Sequence, residues 1–220
     1  MKIGLVVKVG GSLARARGLG ALLDSIARWR GHTKILVVPG GGPFADLVRL
    51  EYRRRKLSES AAHGMAILAM DQYGLYLSDL ASRATPATSL SGVRAVLRST
   101  RLPILLPSKL LFERDPFDHS WDVTSDSIAA YIARLVRADA LLLLKDVDGI
   151  FSGDPRLDPA APLLSYVARS RLGGFRCVDR QFGRWLRGVG SCWIVNGARP
   201  ERVKEWLERG ETVGTRVGAR

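Results

Sequence analysis

Short apolar runs alternate with longer amphipathic stretches along the 220 residues. Ile3–Val9 is apolar apart from Gly4 and Lys8 and is closed by Gly10-Gly11-Ser12. A run of that length bounded by glycine predicts a strand buried on both faces. Leu19–Trp29 has helical spacing, and Ile35–Val38 repeats the strand signal before Pro39-Gly40-Gly41-Gly42-Pro43. Helices are predicted over Phe44–Arg54 and from Ser58 to Leu80. Ser58 is their clearest N-cap, because its hydroxyl can accept an orphan backbone N–H.

In the middle of the chain, Val93–Leu97 and Leu102–Leu106 read as short strands. Ser108–Asp118, with Pro116 and mixed charge, reads as a loop or short hairpin. Thr124–Arg137 is helical through Ile128, Ile132 and Leu135, with Thr124 or Ser125 as its cap. Ala140–Leu144 is the most buried strand, and the glycines and proline of Asp146–Pro155 predict a tight hairpin or loop. Gly173-Gly174 precede a predicted helix to about Leu186. Cys192–Val195 (strand), Pro200–Leu207 (helix) and Thr212–Val217 (edge strand) complete the pattern. Alternating strands and helices predict an α/β domain with a mainly parallel central sheet covered on both faces. No repeat or low-complexity linker divides residues 1–220, which read as one domain. Ligands of such sheets bind at the carboxyl ends of strands, where both glycine clusters fall.

Composition narrows the class. With 46% hydrophobic and 25% charged residues the chain is an ordinary globular one. Cys177 and Cys192 offer neither a disulfide framework nor a CxxC pair, and His32, His63 and His119 are scattered, so no metal-ligand set is assigned. The first apolar run is too short for a signal peptide, and none approaches a membrane span. A reducing, cytoplasmic setting is the expectation. The 34 basic residues, 27 of them arginine, exceed 21 acidic ones and give a net charge of +13. The only basic run, Arg53-Arg54-Arg55-Lys56 after Tyr52, suits a solvated helix end, and no nucleic-acid recognition motif accompanies it. The excess suits an anionic small molecule better than a nucleic-acid partner.

Candidate chemistry gathers at the glycines. Backbone N–H groups in Gly10-Gly11-Ser12 can point at phosphate oxygens, and a helix after the turn would add its positive end. A plain strand-to-helix turn is the competing reading. Lys8, one strand step earlier, is placed to neutralise charge on a transferring phosphoryl group. Neither cluster carries a Walker A or GxGxxG pattern. Three glycines at 40–42 lose much conformational freedom on folding, which points to a close approach rather than slack. Asp122 and Asp126 open a helix, where acids often serve only as caps; Asp126 gains interest if it meets Lys8 across the sheet. Lys145, Asp146 and Asp148 follow the deepest strand. Acids there would orient a lysine, hold Mg2+ through water or bind a ribose hydroxyl.

The segments VVKVGGSL from Val6, VVPGGGPFAD from Val37, TSDSIAAYIA from Thr124, LLLLKDVDGIFSGDP from Leu141 and IVNGARPERVKEWLERGETVGT from Ile194 follow one another in a specific order. Together they resemble the amino-acid kinase family, which includes acetylglutamate, aspartate, uridylate and isopentenyl phosphate kinases. The resemblance spans nearly the whole chain. It implies the carbamate kinase-like fold, a three-layer αβα sandwich without a P-loop, with an acceptor lobe of residues 1–138 and a nucleotide lobe of 139–220. It also implies ATP and Mg2+ as cofactors, a small-molecule partner and a homo-oligomer. By motif match Lys8 would stabilise the transferred phosphoryl group and Asp126 would position that lysine. Gly10, Gly11 and Ser12 would hold ATP phosphates, and Gly41 and Gly42 would line the acceptor side. Lys145, Asp146, Asp148, Phe151, Gly153, Asp154 and Pro155 match the nucleotide segment. One departure concerns a second lysine that some members carry after Gly-Gly-Met. Here Gly173-Gly174-Phe175-Arg176-Cys177-Val178 places Val178 there, so either Arg176 substitutes or the chain resembles the uridylate kinase branch, which manages without it. The length leaves no room for the regulatory module of typical aspartate kinases.

AHGMAILAMDQYG and WDVTSDSIAAYIA together look like one subgroup, the [5-(aminomethyl)furan-3-yl]methyl phosphate kinases of methanofuran-type cofactor biosynthesis. Their acceptor is a phosphate monoester and their product a diphosphate. On that reading His63 contacts the anionic acceptor, unless it is a satisfied helix histidine, and Asp122 takes an acceptor ammonium. Met65 and Met70 would pack, and Tyr73 would either stack on an acceptor ring or belong to the core. Uridylate, isopentenyl phosphate and an amino-acid carboxylate are the rival acceptors. A non-catalytic oxyanion-storage protein of the same fold is a further alternative, against which the joint presence of Lys8 and Asp126 argues.

Overall fold

The computed structural model describes residues 2–29, 32–155 and 157–218. In chain order the elements are β1 (Leu5–Val9), α1 (Leu19–Trp29), β2 (Ile35–Pro39), α2 (Gly42–Arg55), α3 (Glu59–Leu80), β3 (Ala84–Ala87), α4 (Leu90–Arg98), β4 (Leu102–Leu105), α5 (Ser108–Arg114) and α6 (Ser125–Leu135). There follow β5 (Ala140–Lys145), β6 (Ile150–Phe151), β7 (Leu163–Leu164), β8 (Tyr166–Ala168), α7 (Phe182–Trp185), β9 (Ser191–Asn196), α8 (Pro200–Arg209) and β10 (Gly214–Gly218). Eight strands form one sheet in the order β3-β4-β2-β1-β5-β9-β10-β8, parallel throughout except for β9 against β10. β6 and β7 pair separately. Among the described residues no helix is long and apolar enough to cross a membrane, and both cysteines are free thiols.

Strand alternation decides what each side of the sheet receives. Leu5, Val7 and Val9 of β1 enter one apolar cluster with α1, α8 and the Tyr73–Leu77 part of α3. Val6 enters the other, which Ile128, Ala129, Ile132 and Ala133 of α6 complete. Side chains two apart share a face, so Lys8 points to the α6 side with Val6. Leu141 and Leu143 of β5 belong to that same cluster, and Lys145 follows in phase. β1 and β5 are neighbours in register, Lys8 opposite Leu143. The chain winds outward from β1 through β2 on one side and resumes at β5 on the other. The reversal point between β1 and β5 is where a doubly wound sheet opens a ligand crevice.

Several predicted elements differ. Val93–Leu97 lies inside helix α4, not in a strand; Val93, Val96 and Leu97 share one helical face, and Ser89 caps it by accepting from the Gly92 N–H at 3.1 Å. The strand in that region is β3, whose Ala-Thr-Pro-Ala sequence carries little apolar signal. Its Pro86 is tolerated because β3 is the sheet edge. Ser108 opens a helix, α5, because Asp71 on α3 accepts its backbone N–H at 3.1 Å. The Gly173–Leu186 segment forms only one α-helical turn, α7, preceded by a 3-10 stretch over Arg169–Gly174. The 212–217 strand is β10, and it lies inside the sheet because the short β8 covers its outer side. Ser58 does cap α3, accepting from the Ala61 N–H at 3.2 Å.

Candidate active site

The two in-phase lysines converge on one carboxylate. Lys8 Nζ donates to Asp126 Oδ1 at 2.8 Å, and Lys145 Nζ donates to Oδ2 of the same group at 2.8 Å. The side chains of Lys8 and Asp126 are each 4% exposed and that of Lys145 13%. Burial by itself would push the Asp126 carboxyl up, but the ammonium groups of Lys145 and Lys8 outweigh it and hold the group far below the usual carboxylate range. For Lys8 burial prevails over the pull of Asp126 and lowers its pKa. At the less enclosed Lys145 the carboxylate prevails over burial and raises it.

Asp126 sits in the first turn of α6, and that turn is pinned from a distant segment. Neither Thr124 nor Ser125 serves as the side-chain cap. Asp179 does so instead. Its Oδ2 accepts from the Thr124 N–H, the Thr124 hydroxyl and the Ser127 N–H, each at 2.9 Å, and its Oδ1 accepts from the Ser127 hydroxyl. Burial and the neighbouring Asp126 push the Asp179 carboxyl up. Asp179→Ala should therefore release four donors and cost about 1–3 kcal/mol. Denaturant unfolding should show that loss, and a drop in kcat should accompany it because Asp126 loses its placement. A fully active, equally stable variant would show that α6 needs no such anchor.

The glycine clusters accommodate each other. The Gly10 N–H donates to the Leu144 carbonyl and the Gly40 N–H to the Val9 carbonyl, both at 2.8 Å. A Cβ on Gly11 would stand 2.6 Å from the Gly42 nitrogen. Gly42 has φ +57°, and a Cβ there would meet the Tyr73 ring at 2.8 Å. Tyr73 is thus a core residue beneath the loops, its hydroxyl donating to the Gly10 carbonyl at 3.4 Å. The close approach expected of the triple glycine is, in this structure, loop against loop. The residues after Gly10 form only a 3-10 stretch, Gly11–Arg15, with α1 starting at Leu19. The long helix beginning at a glycine turn is instead α2, whose Gly41 N-cap position has no side-chain cap. Its free N–H groups make an anion-favouring end.

Two cavities meet here. The larger is lined by Lys8, Gly10, Gly11, Ser12, Asp126, Lys145 and Asp146, and also by Phe151, Gly153, Asp154, Pro155 and Arg176. A small recess runs beside it between α2, α3 and α6. Both cavities share Gly41, Ala45, Arg49, Thr124 and Ser125. Gly42 lines the larger cavity only. His63 lines the recess. Its ring stacks on His119 at 4.6 Å, and burial and then His119 lower its pKa, which leaves it neutral near pH 7.

Two expected residues lie elsewhere. Asp148 does not line the larger cavity; its Oδ1 is 2.6 Å from Arg202 Nη1 and accepts from Asn196 Nδ2 at 2.7 Å. Asp122 lines neither the recess nor the larger cavity but an adjoining third one, shared with Arg49, Asp126 and Lys145, where it sits 3.8 Å from Arg180 at an exposed position. The sequence reading missed Arg49. Ala45, Asp46 and Arg49 recur at helical spacing after Gly42, and that period could have placed Arg49 on the cavity face of α2. Nothing local marks Asp179.

Residues 4–181 match the profile of a family described as the amino acid kinase family. The [5-(aminomethyl)furan-3-yl]methyl phosphate kinase of Methanocaldococcus jannaschii is 33% identical over 214 residues, which cover 96% of this chain and 96% of that protein. The uridylate kinase of Archaeoglobus fulgidus superposes with a TM-score of 0.75 at 20% identity, over 99% of this chain and 100% of that one. The isopentenyl phosphate kinase of T. acidophilum superposes with a TM-score of 0.66 at 20% identity, over 98% and 100%. These superpositions establish the αβα sandwich as the shared fold.

Proposed function

Because the chain belongs to the amino acid kinase family, we propose that its β1/β5 crevice transfers the γ-phosphoryl group of ATP to a small phosphate monoester, and that this acceptor is [5-(aminomethyl)furan-3-yl]methyl phosphate. The observation that carries the reading is the buried Lys8–Asp126–Lys145 group beside the opening between the two cavities. An oxygen of the acceptor phosphate attacks the γ-phosphorus in line. The bond from that phosphorus to the bridging oxygen breaks, ADP leaves, and a diphosphate forms. A phosphate monoester has its second pKa near 6, so the nucleophile is already ionised and needs no strong general base. Positioning and neutralisation of the spreading negative charge supply the acceleration.

Lys8 and Lys145 are the two cations for that charge, held apart and ionised by Asp126. Lys145 thus takes the second cationic role for which position 178 offers only valine. Arg176, in the wall of the larger cavity, is left to the nucleotide. Gly10, Gly11, Ser12, Asp146 and the segment from Gly149 to Pro155 cradle ATP. Asp146 is an oxygen ligand available to the Mg2+ that ATP carries, which would supply further charge neutralisation. Residues 1–138 furnish the acceptor recess and 139–220 most of the nucleotide wall. Exposed Leu47, Leu50, Leu68 and Leu75 on α2 and α3 support a homo-oligomer as the working form.

Incubation with ATP and a panel of phosphate-monoester and carboxylate acceptors tests the reading, with products identified by mass. The expected product is the furan diphosphate, inert to hydroxylamine. Formation of a hydroxamate, which reports an acyl phosphate, would move the enzyme to a carboxylate acceptor.

A further inference from the structure

The recess has opposite charges on its two sides. Arg49 belongs to both cavities and so stands on the side open to Lys8. Its Nη1 donates to Asp46 Oδ1 at 2.9 Å, and its guanidinium lies 5.0 Å from the centre of the Trp121 ring. It is the one arginine or lysine in the recess wall. Glu59 and His63 line the recess and not the larger cavity, which puts them on the side away from the reaction. Glu59 is the only carboxylate of that wall, and among the described residues it has no ion-pair or hydrogen-bond partner. The rest of the lining includes the apolar side chains of Ala66, Ile67, Met70 and Ile128 and the Trp121 ring.

We propose that this recess selects a dipolar acceptor: Arg49 binds its anionic group next to the phosphoryl-transfer centre, and Glu59 binds a primary ammonium at the opposite side. The inference rests on the phosphate-monoester reading above and adds the residue that recognises the amine. His63, kept neutral, does not supply the anion-binding charge. Asp122 lines a neighbouring cavity with Arg49, Asp126 and Lys145, against Arg180 and on the reaction side rather than the far side of the recess. A flat ring between the charged ends meets the apolar walls. Glu59 is exposed to solvent, so an ammonium there gains a charge-assisted hydrogen bond at the mouth of the recess, whereas a methyl group leaves the carboxylate to water.

The test compares [5-(aminomethyl)furan-3-yl]methyl phosphate with (5-methylfuran-3-yl)methyl phosphate, using the full chain with ATP. Wild type should prefer the amine by about 2–5-fold in kcat/KM, chiefly through KM, the range expected of a solvent-exposed ion pair. Glu59→Gln should bring that ratio close to one, while Asp122→Asn should retain the wild-type ratio. Arg49→Met should raise KM for both acceptors together. A purely structural role for Glu59 at the start of α3 would move both acceptors equally and leave the ratio intact. Retention of the preference in Glu59→Gln, its loss in Asp122→Asn, or equal use of both acceptors by wild type would overturn the Glu59 subsite while the kinase reading stands. A wild type inert toward both furans but active on a carboxylate would overturn the acceptor reading itself, and the subsite with it.

Discussion

Lys8→Met is expected to lower kcat by about 10³-fold while the fold persists and the KM for ATP changes little. Removing one preorganised donor from a developing oxyanion costs about 10²–10³ in rate, and cations that stabilise a phosphoryl transition state contribute about 10³–10⁵. Lys8 sits at the upper end of the first range because its side chain is only 4% exposed, where water cannot replace its charge. The substitution leaves Asp126 paired with Lys145, so no buried carboxylate is stranded, and methionine fills most of the vacated volume. Steady-state kinetics set beside a thermal unfolding curve separate catalysis from folding. Turnover within tenfold of wild type in a folded variant would remove Lys8 from the catalytic centre.

The convergence of the lysines was legible in the sequence only in halves. The apolar run of β1, the run of β5 and the helical spacing of α6 each follow from short-range periodicity. So does the placement of Lys8 on the inner face of a buried strand. What periodicity does not carry is the sheet order, which brings β5 rather than another strand beside β1 and sets Lys145 opposite Lys8 across Asp126. The motif match for Asp126 anticipated one lysine, and the partner arrived from a segment otherwise matched to the nucleotide. Asp179 shows the same limit more sharply. Its four acceptor contacts span 52 and 55 residues of chain, and an isolated aspartate after Val178 carries no pattern. Arg49 was within reach, since helical period alone places it on the face of Ala45. The α4 error had a different cause. Five residues containing Val93, Val96 and Leu97 satisfy a strand and a helix equally, and the Ser89 cap decided between them.

Asp126→Asn should be the most destabilising substitution in the crevice, by about 3–5 kcal/mol, because two buried ammonium groups lose their shared countercharge. That is a large part of a typical stability of about 5–15 kcal/mol. The loss has a distinctive pH dependence. In the wild type the folded Asp126 carboxyl titrates far below its unfolded value of about 3.9. Its contribution is therefore complete above that pH and fades only as pH falls through the folded value, in strong acid. The variant has no such group. Its two buried lysines, without the carboxylate, titrate below their unfolded value of about 10.4. Between the folded and unfolded values the unfolded chain binds more protons, so the variant gains stability as pH rises. Lys8, already lowered by burial, contributes to that rise first. In the wild type Lys145 is raised instead, which opposes any such gain. The stability gap between the two proteins should be full already at pH 5 and narrow as pH rises toward 10. Urea unfolding at pH 5, 7 and 9.5 measures it. A gap that stays constant between pH 7 and 9.5 would mean that the two ammonium groups do not depend on Asp126 for their charge.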